Sequence, residues 1–272
     1  GAGGKKGARP LGDPVFAPNR FVSLAKTLGV VPVASAALGP VAGMPAARLV
    51  ASHFTVMTRN AQLLIAGPHV VKRALDEDKT KEELGGPDVH AKSGAIDNVA
   101  KDEADALNQI RAFLSYLPDN VWQLPPYKEP TDSPDRMEES LRDVVPKDRR
   151  KPFKMRPILK AVLDEGSFFE MGKKYGPSLI TGLARMNGHA VGVIGNDCMY
   201  YAGAMTAEAA QKLRRFVDMC NTFHLPILSF VDEPGFMIGS ASEQAGTIRY
   251  GTAAIAAVMQ SRVPWEIGRA HV

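Results

Sequence analysis

Residues 27–47 carry no charged side chain, and this run constrains the fold more than any other feature. It is long enough to cross a bilayer, which takes about 20 apolar residues. However, Pro32, Pro40 and Pro45 alternate through it with Gly29, Gly39 and Gly43, and that punctuation breaks any single helix. The alternative is a buried strand over residues 29–36, apolar on both faces, followed by a glycine turn at 39–43. A strand of that kind belongs to a sheet covered on both sides, which is the α/β class.

The rest of the chain repeats this grammar. Residues 54–57 and 63–66 read as short strands, Gly67-Pro68 opens a helix, and residues 101–117 place Ala104, Leu107, Ile110 and Leu114 at helical spacing behind an acidic first turn. From Leu124 to Pro157 the texture changes to prolines among charges, which reads as a linker. Its basic residues Lys147, Arg149, Arg150, Lys151 and Lys154 read as a solvated face that could also touch phosphate. A second α/β unit follows. Residues 179–194 have the form strand, Asn-Gly turn, strand. Residues 207–223 form an amphipathic helix, and residues 226–231 a buried strand. That strand ends in Asp232-Glu233-Pro234-Gly235-Phe236, at a strand's C-terminal end, where α/β ligand sites lie. Residues 247–260 read as a further helix. The expected division is 1–123, a linker at 124–157, and 158–265.

Chemistry-bearing side chains are scarce. The net charge of +4 is spread along the chain, which suits anionic metabolites and does not call for nucleic acid. Cys198 and Cys220 sit among apolar neighbours and read as buried reduced thiols in a cytosolic-type compartment. No Ser-His-Asp set, zinc motif or phosphate-binding Gly-Lys loop appears, and the histidines are scattered. What remains is the turn Gly39-Pro40-Val41-Ala42-Gly43-Met44-Pro45. Pro45 suits the start of a helix, so the N–H groups of Gly43 and Met44 are expected to face outward at a helix N-terminus. There they could hold a developing enolate oxygen, or the segment could be a plain tight turn.

Seven stretches, in order over nearly all of residues 1–265, resemble the carboxyl transferase family, the β-type subunits of biotin-dependent acyl-CoA carboxylases. They are residues 1–6, 39–44, 82–94, 102–117, 168–170, 182–195 and 230–239. The resemblance implies a crotonase-like α/β fold of two related domains built from ββα units. It also implies transfer of CO2 from carboxybiotin to the α-carbon of an acyl-CoA. As carboxybiotin releases CO2, the ureido anion left behind takes the α-proton, so the protein's task is to orient the reactants and hold oxyanions with backbone N–H groups. By resemblance, Gly43 and Met44 form the thioester oxyanion hole, with Met44 standing where the family usually has a second glycine. Gly3 and Gly4 match a Gly-Gly turn near the CoA, with Lys6 in place of a family arginine. Pro234, Gly235 and Phe236 match the loop lining the biotin side.

The implied partners are acyl-CoA, a biotin carboxylase or biotin carrier subunit, and further copies of the same chain, with neither nucleic acid nor membrane. The implied location is the cytoplasm, or the mitochondrial matrix in a eukaryote. The chain is expected to be cut at both ends, without the biotin-side oxyanion hole. Residues 266–272 match the translation of a sequencing adapter and are expected to be an artefact. The rival readings are a biotin-dependent decarboxylase, a crotonase-type hydratase or hydrolase, and a non-catalytic CoA-binding subunit. No acidic residue lies between Gly29 and Ile65 to serve a hydratase.

Overall fold

The computed structural model describes residues 20–133, 135–148 and 151–269, which fall into two compact units divided after Arg111.

The first unit begins with α1 (Arg20–Leu28), β1 (Ala34–Ala37), β2 (Pro40–Ala42), α2 (Met44–Val50), β3 (Phe54–Thr58) and β4 (Gln62–Leu64). It continues through α3 (Pro68–Leu75), α4 (Lys81–Gly85), α5 (Pro87–Ser93), β5 (Asn98–Ala100) and α6 (Glu103–Leu114), whose last residues lie beyond the division. Among the described residues its strand pairs are all parallel: β1, β3 and β5 form one sheet and β2 and β4 another. The expected strand over 29–36 is therefore shorter and shifted. Val30 and Val31 donate to the Thr27 carbonyl, which closes α1, and Pro32 has no N–H to give a ladder. The shortened strand is half-buried apart from Ala37. The expected turn at 39–43 contains β2, a three-residue strand. Ala37, Leu49, Met57, Leu63 and Ile96 pack the core. Buried Asp97 joins β3 to the start of β5 by accepting from the Thr55 N–H at 2.8 Å and its hydroxyl at 2.9 Å.

The second unit contains α7 (Met155–Val162), β6 (Phe169–Met171), β7 (Leu179–Met186), β8 (His189–Asn196), α8 (Ala207–Thr222), β9 (Ile227–Val231), α9 (Ser240–Gln244), α10 (Thr247–Gln260) and β10 (Trp265–Arg269). Its sheet order is β10-β9-β8-β7-β6. The pairs β6–β7 and β7–β8 are antiparallel, while β8, β9 and β10 run parallel. Asn187 and Gly188 take φ of 48° and 80°, the two positive values that a two-residue hairpin turn needs. The Asp164 carboxylate accepts both of their N–H groups at 2.7 Å.

The proline-rich stretch is bound to this unit. Buried Arg185 donates to the carbonyls of Ser115, Pro126 and Gly188. Arg136 pairs with Asp132 and caps the end of α7 through the Ala161 and Leu163 carbonyls. At the other end, Glu266 to Arg269 pair with β9 through backbone groups that any non-proline residue offers, so this strand says nothing of where those residues come from. Ala270, His271 and Val272 lie outside the described residues. Among the described residues, no helix is long and apolar enough to cross a membrane. Residues 27–47 are instead divided among α1, β1, β2 and α2.

Candidate active-site elements

Two of the three expected site segments can be placed. Gly3, Gly4 and Lys6 lie outside the described residues. The other two belong to different units and are described one at a time.

In the first unit, Gly43 follows β2 and caps the start of α2 with φ 67° and ψ −137°, a combination that side-chain-bearing residues avoid. A Cβ there would meet nothing within 4 Å, so only the backbone conformation calls for glycine. Pairing of β2 with β4 gives the Gly43 N–H to the Leu64 carbonyl at 3.1 Å. This corrects the expectation that both amides of Gly43-Met44 face outward. Met44 N–H is the first amide of α2, where no intrahelical acceptor exists, and it meets no protein acceptor among the described residues. Pro45 has no N–H, as the sequence requires. The Met44 side chain is exposed and so is that of Ile65, which follows the Leu64 carbonyl in the chain. The turn that carries the free amide is therefore open.

In the second unit, loop 234–236 follows β9. Gly235 has φ 123°, and its carbonyl accepts from the Met205 N–H at 2.9 Å. Met237 N–H returns to the Met205 carbonyl at the same distance. The Phe236 ring lies against Gly251 of α10, where a Cβ would stand 2.5 Å from the ring. The loop is thus braced on two sides while Phe236 keeps part of its surface exposed.

Two residues beside this loop carry no signal in the sequence. Asn196, at the end of β8, is 5% exposed. Its Oδ1 accepts from Asp232 N–H at 3.2 Å, and its amino group donates to the Gly203 carbonyl and to Glu233 Oε2, each at 3.4 Å. Glu233 is half-buried. Burial pushes its carboxyl above the ordinary glutamate range, and the Asn196 N–H draws it partly back. Asn196 and Glu233 share the wall of a cavity of about 240 Å3 with Ile194, Met205, Leu213 and Val258. An Asn one residue before an Asp has no telling spacing, and Glu233 reads from the sequence only as part of a loop.

The cysteines take no part in these elements. Cys220 is buried in α8, which drives its thiol strongly upward. Cys198 is half-buried, less than expected, and its thiol donates to the Phe153 carbonyl at 3.0 Å.

The carboxyl transferase domain family matches residues 18–267. The chain belongs to the carboxyl transferase family. It is 40% identical over 238 residues to the propionyl-CoA carboxylase carboxyltransferase subunit of Haloferax mediterranei, covering 87% of this chain and 46% of that protein. It is 36% identical to the methylmalonyl-CoA decarboxylase subunit alpha of Veillonella parvula, covering 87% of this chain and 47% of that one. Among solved structures, transcarboxylase 12S, a hexamer solved with methylmalonyl-coenzyme A, superposes with a TM-score of 0.88 at 33% identity, over 92% of this chain and 48% of that one. The chain spans slightly less than half the length of each of these relatives. The two α/β units have the crotonase-like fold of this family, as the resemblance implied.

Proposed function

We propose that the protein carrying this chain is the carboxyltransferase component of a biotin-dependent acyl-CoA carboxylase. It moves CO2 from carboxybiotin to the α-carbon of an acyl-CoA. The observation that carries this reading is the family match over residues 18–267, joined to relatives that act on propionyl-CoA or methylmalonyl-CoA. Carboxybiotin, when bound, supplies the CO2 and, once it is released, the base.

The chain's own contribution is placement. Met44 N–H, which no protein acceptor takes up among the described residues, is the donor for the thioester oxygen as negative charge grows there. A fixed N–H stabilises such charge without reorganising, and one donor of this kind is worth about 3 kcal/mol once the bound substrate excludes water. Met44 occurs as the first residue of α2 and not among the positive-φ residues, so the departure from a second glycine does not disturb the backbone donor. Loop 234–236 faces the biotin side. A biotin carrier with its biotin carboxylase, and further copies of the chain, are the partners of this reading. Gly3, Gly4 and Lys6 are assigned to the CoA by the family resemblance alone.

The second reading runs the transfer backwards, as a biotin-dependent decarboxylase. It is favoured by the 36% identity to the Veillonella parvula subunit, close to the 40% seen for the carboxylase. Both readings make one prediction. The full-length protein should carboxylate free biotin at the expense of malonyl-CoA or methylmalonyl-CoA. Absence of turnover with every acyl-CoA would sink both. Dependence of turnover on a biotin carboxylase or on a sodium-pumping membrane partner would separate them.

A further inference from the structure

We propose that Asn196 is a positioning residue for the biotin-side loop: its buried amide locks residues 232–236 to the turn 201–205 and so fixes the approach of the biotin donor. This rests on the assignment of that loop to the biotin side under Proposed function.

The geometry asks for an amide. Position 196 must accept one backbone N–H, from Asp232, and at the same time donate to two oxygens, Gly203 O and Glu233 Oε2. Asn is the shortest side chain with one acceptor oxygen and two N–H donors in a plane. The Asp232 N–H fixes which end of the amide is oxygen, because the amino group could only clash there. The three contacts join the end of β8, just past its last register pair with β9 at Gly195 and Phe230, to the segment leaving β9 and to the turn 201–205, which itself bridges that segment at Met205 and Phe236.

The turn it holds is strained. Tyr201 and Ala202 have φ of 51° and 52°, a left-handed conformation that costs a side-chain-bearing residue about 1–2 kcal/mol. Two such residues in a row persist only where their surroundings over-determine them, and such strain gathers at functional sites. Here the surroundings are visible. Gly203 approaches the Asp232 carbonyl so closely that a Cβ would lie 2.4 Å from it. Met205 then makes its two backbone bonds to Gly235 and Met237. The strained turn therefore serves as a template for the loop, with Asn196 at its base.

A merely structural asparagine would stabilise the unit without favouring one substrate. A positioning asparagine moves one KM and not the other. The test uses the full-length protein with free biotin as acceptor and methylmalonyl-CoA as donor. Asn196→Asp keeps the acceptor for Asp232 N–H but sets an oxygen against Gly203 O and Glu233. We expect KM for biotin to rise about tenfold, KM for the acyl-CoA to stay within about twofold, and amide exchange at Met205 and Met237 to quicken about tenfold. Combining Asn196→Asp with Glu233→Gln returns a donor to the pair, since the amide introduced at position 233 can donate to the new carboxylate. KM for biotin should then fall back to within about threefold of the parent.

A parallel rise of both KM values, quickened exchange with an unaltered biotin KM, or a double variant no better than the single one would each overturn the proposal. Unaltered exchange in Asn196→Asp would overturn it without reference to activity. A parent protein with no biotin turnover but with quickened exchange in the variant would instead sink the functional reading and leave Asn196 a structural clamp.

Discussion

The two glycine-bearing turns of this chain, Gly43 before α2 and the Gly203–Gly235 region beside β9, look alike in sequence and are built differently. Gly43 is alone: its φ of 67° calls for glycine, and an added Cβ would meet nothing within 4 Å. Gly203 has a similar φ of 80°, but an added Cβ would sit 2.4 Å from the Asp232 carbonyl. The first turn is shaped by its own backbone and one parallel strand pair. The second is shaped by a segment distant in sequence pressing on it. An open turn leaves room for a ligand at its amide, whereas a braced loop presents a surface of fixed shape. In the proposed reaction the first turn holds the thioester oxygen and the second aims the biotin donor.

Alanine at the two glycines measures that difference directly. Gly203→Ala combines left-handed strain with a collision against backbone that cannot give way, so it should cost about 2–4 kcal/mol. Gly43→Ala carries backbone strain of its own, at φ 67° and ψ −137°, without the collision and should cost about 1–3 kcal/mol. Urea midpoints of the two variants against the parent provide the check. Equal losses would mean that the braced loop yields as easily as the open turn, and the contrast between the regions would collapse.

The same contrast explains what can be read from the sequence. Asn187-Gly188 announces the β7–β8 hairpin because a two-residue turn is specified by the residues in it. The helix and strand at 207–222 and 227–231, and the helix at 247–260, are legible from period and flanking signals. The expected strand over 29–36 overreaches because the apolar character of Val30 and Val31 hides the turn they make and outweighs the break at Pro32. α4 goes unseen although Thr80 and Glu83 form a complete capping box, because five residues are too short to show a period. The spent N–H of Gly43 depends on Leu64 of β4, and Asn196 acquires its meaning only from Gly203, Asp232 and Glu233. Spacing along one chain does not contain such pairings. The family resemblance locates the turn and the loop, but not which amides remain free or what braces them.

The smallest expected effect contrasts two glutamates with opposite pH behaviour. Glu233 is half-buried and its carboxyl is raised by burial. The folded state therefore binds its proton more tightly than the unfolded chain does. Stability from this group is full below the unfolded pKa and is lost as pH rises through the folded one. Glu83 is the reverse: exposed in the capping box of α4, it is lowered first by the Thr80 backbone N–H and next by the Thr80 hydroxyl. Its contribution is present above the unfolded pKa and lost as pH falls through the folded one. Glu233→Gln should thus leave stability close to the parent's in acid and raise it towards neutral pH, by under about 1 kcal/mol once solvent screening is allowed for. Glu83→Gln should match the parent in acid and fall below it towards neutral pH, by a smaller margin because the group is fully exposed. Denaturant midpoints of both variants across about pH 3–8, the range that brackets ordinary and shifted carboxyls, would show difference curves of opposite sign. Curves of the same sign would mean that Glu233 is solvated when the protein is in solution. The cavity wall it shares with Asn196 would then be open to water, and the brace on the loop would be looser than its hydrogen bonds imply.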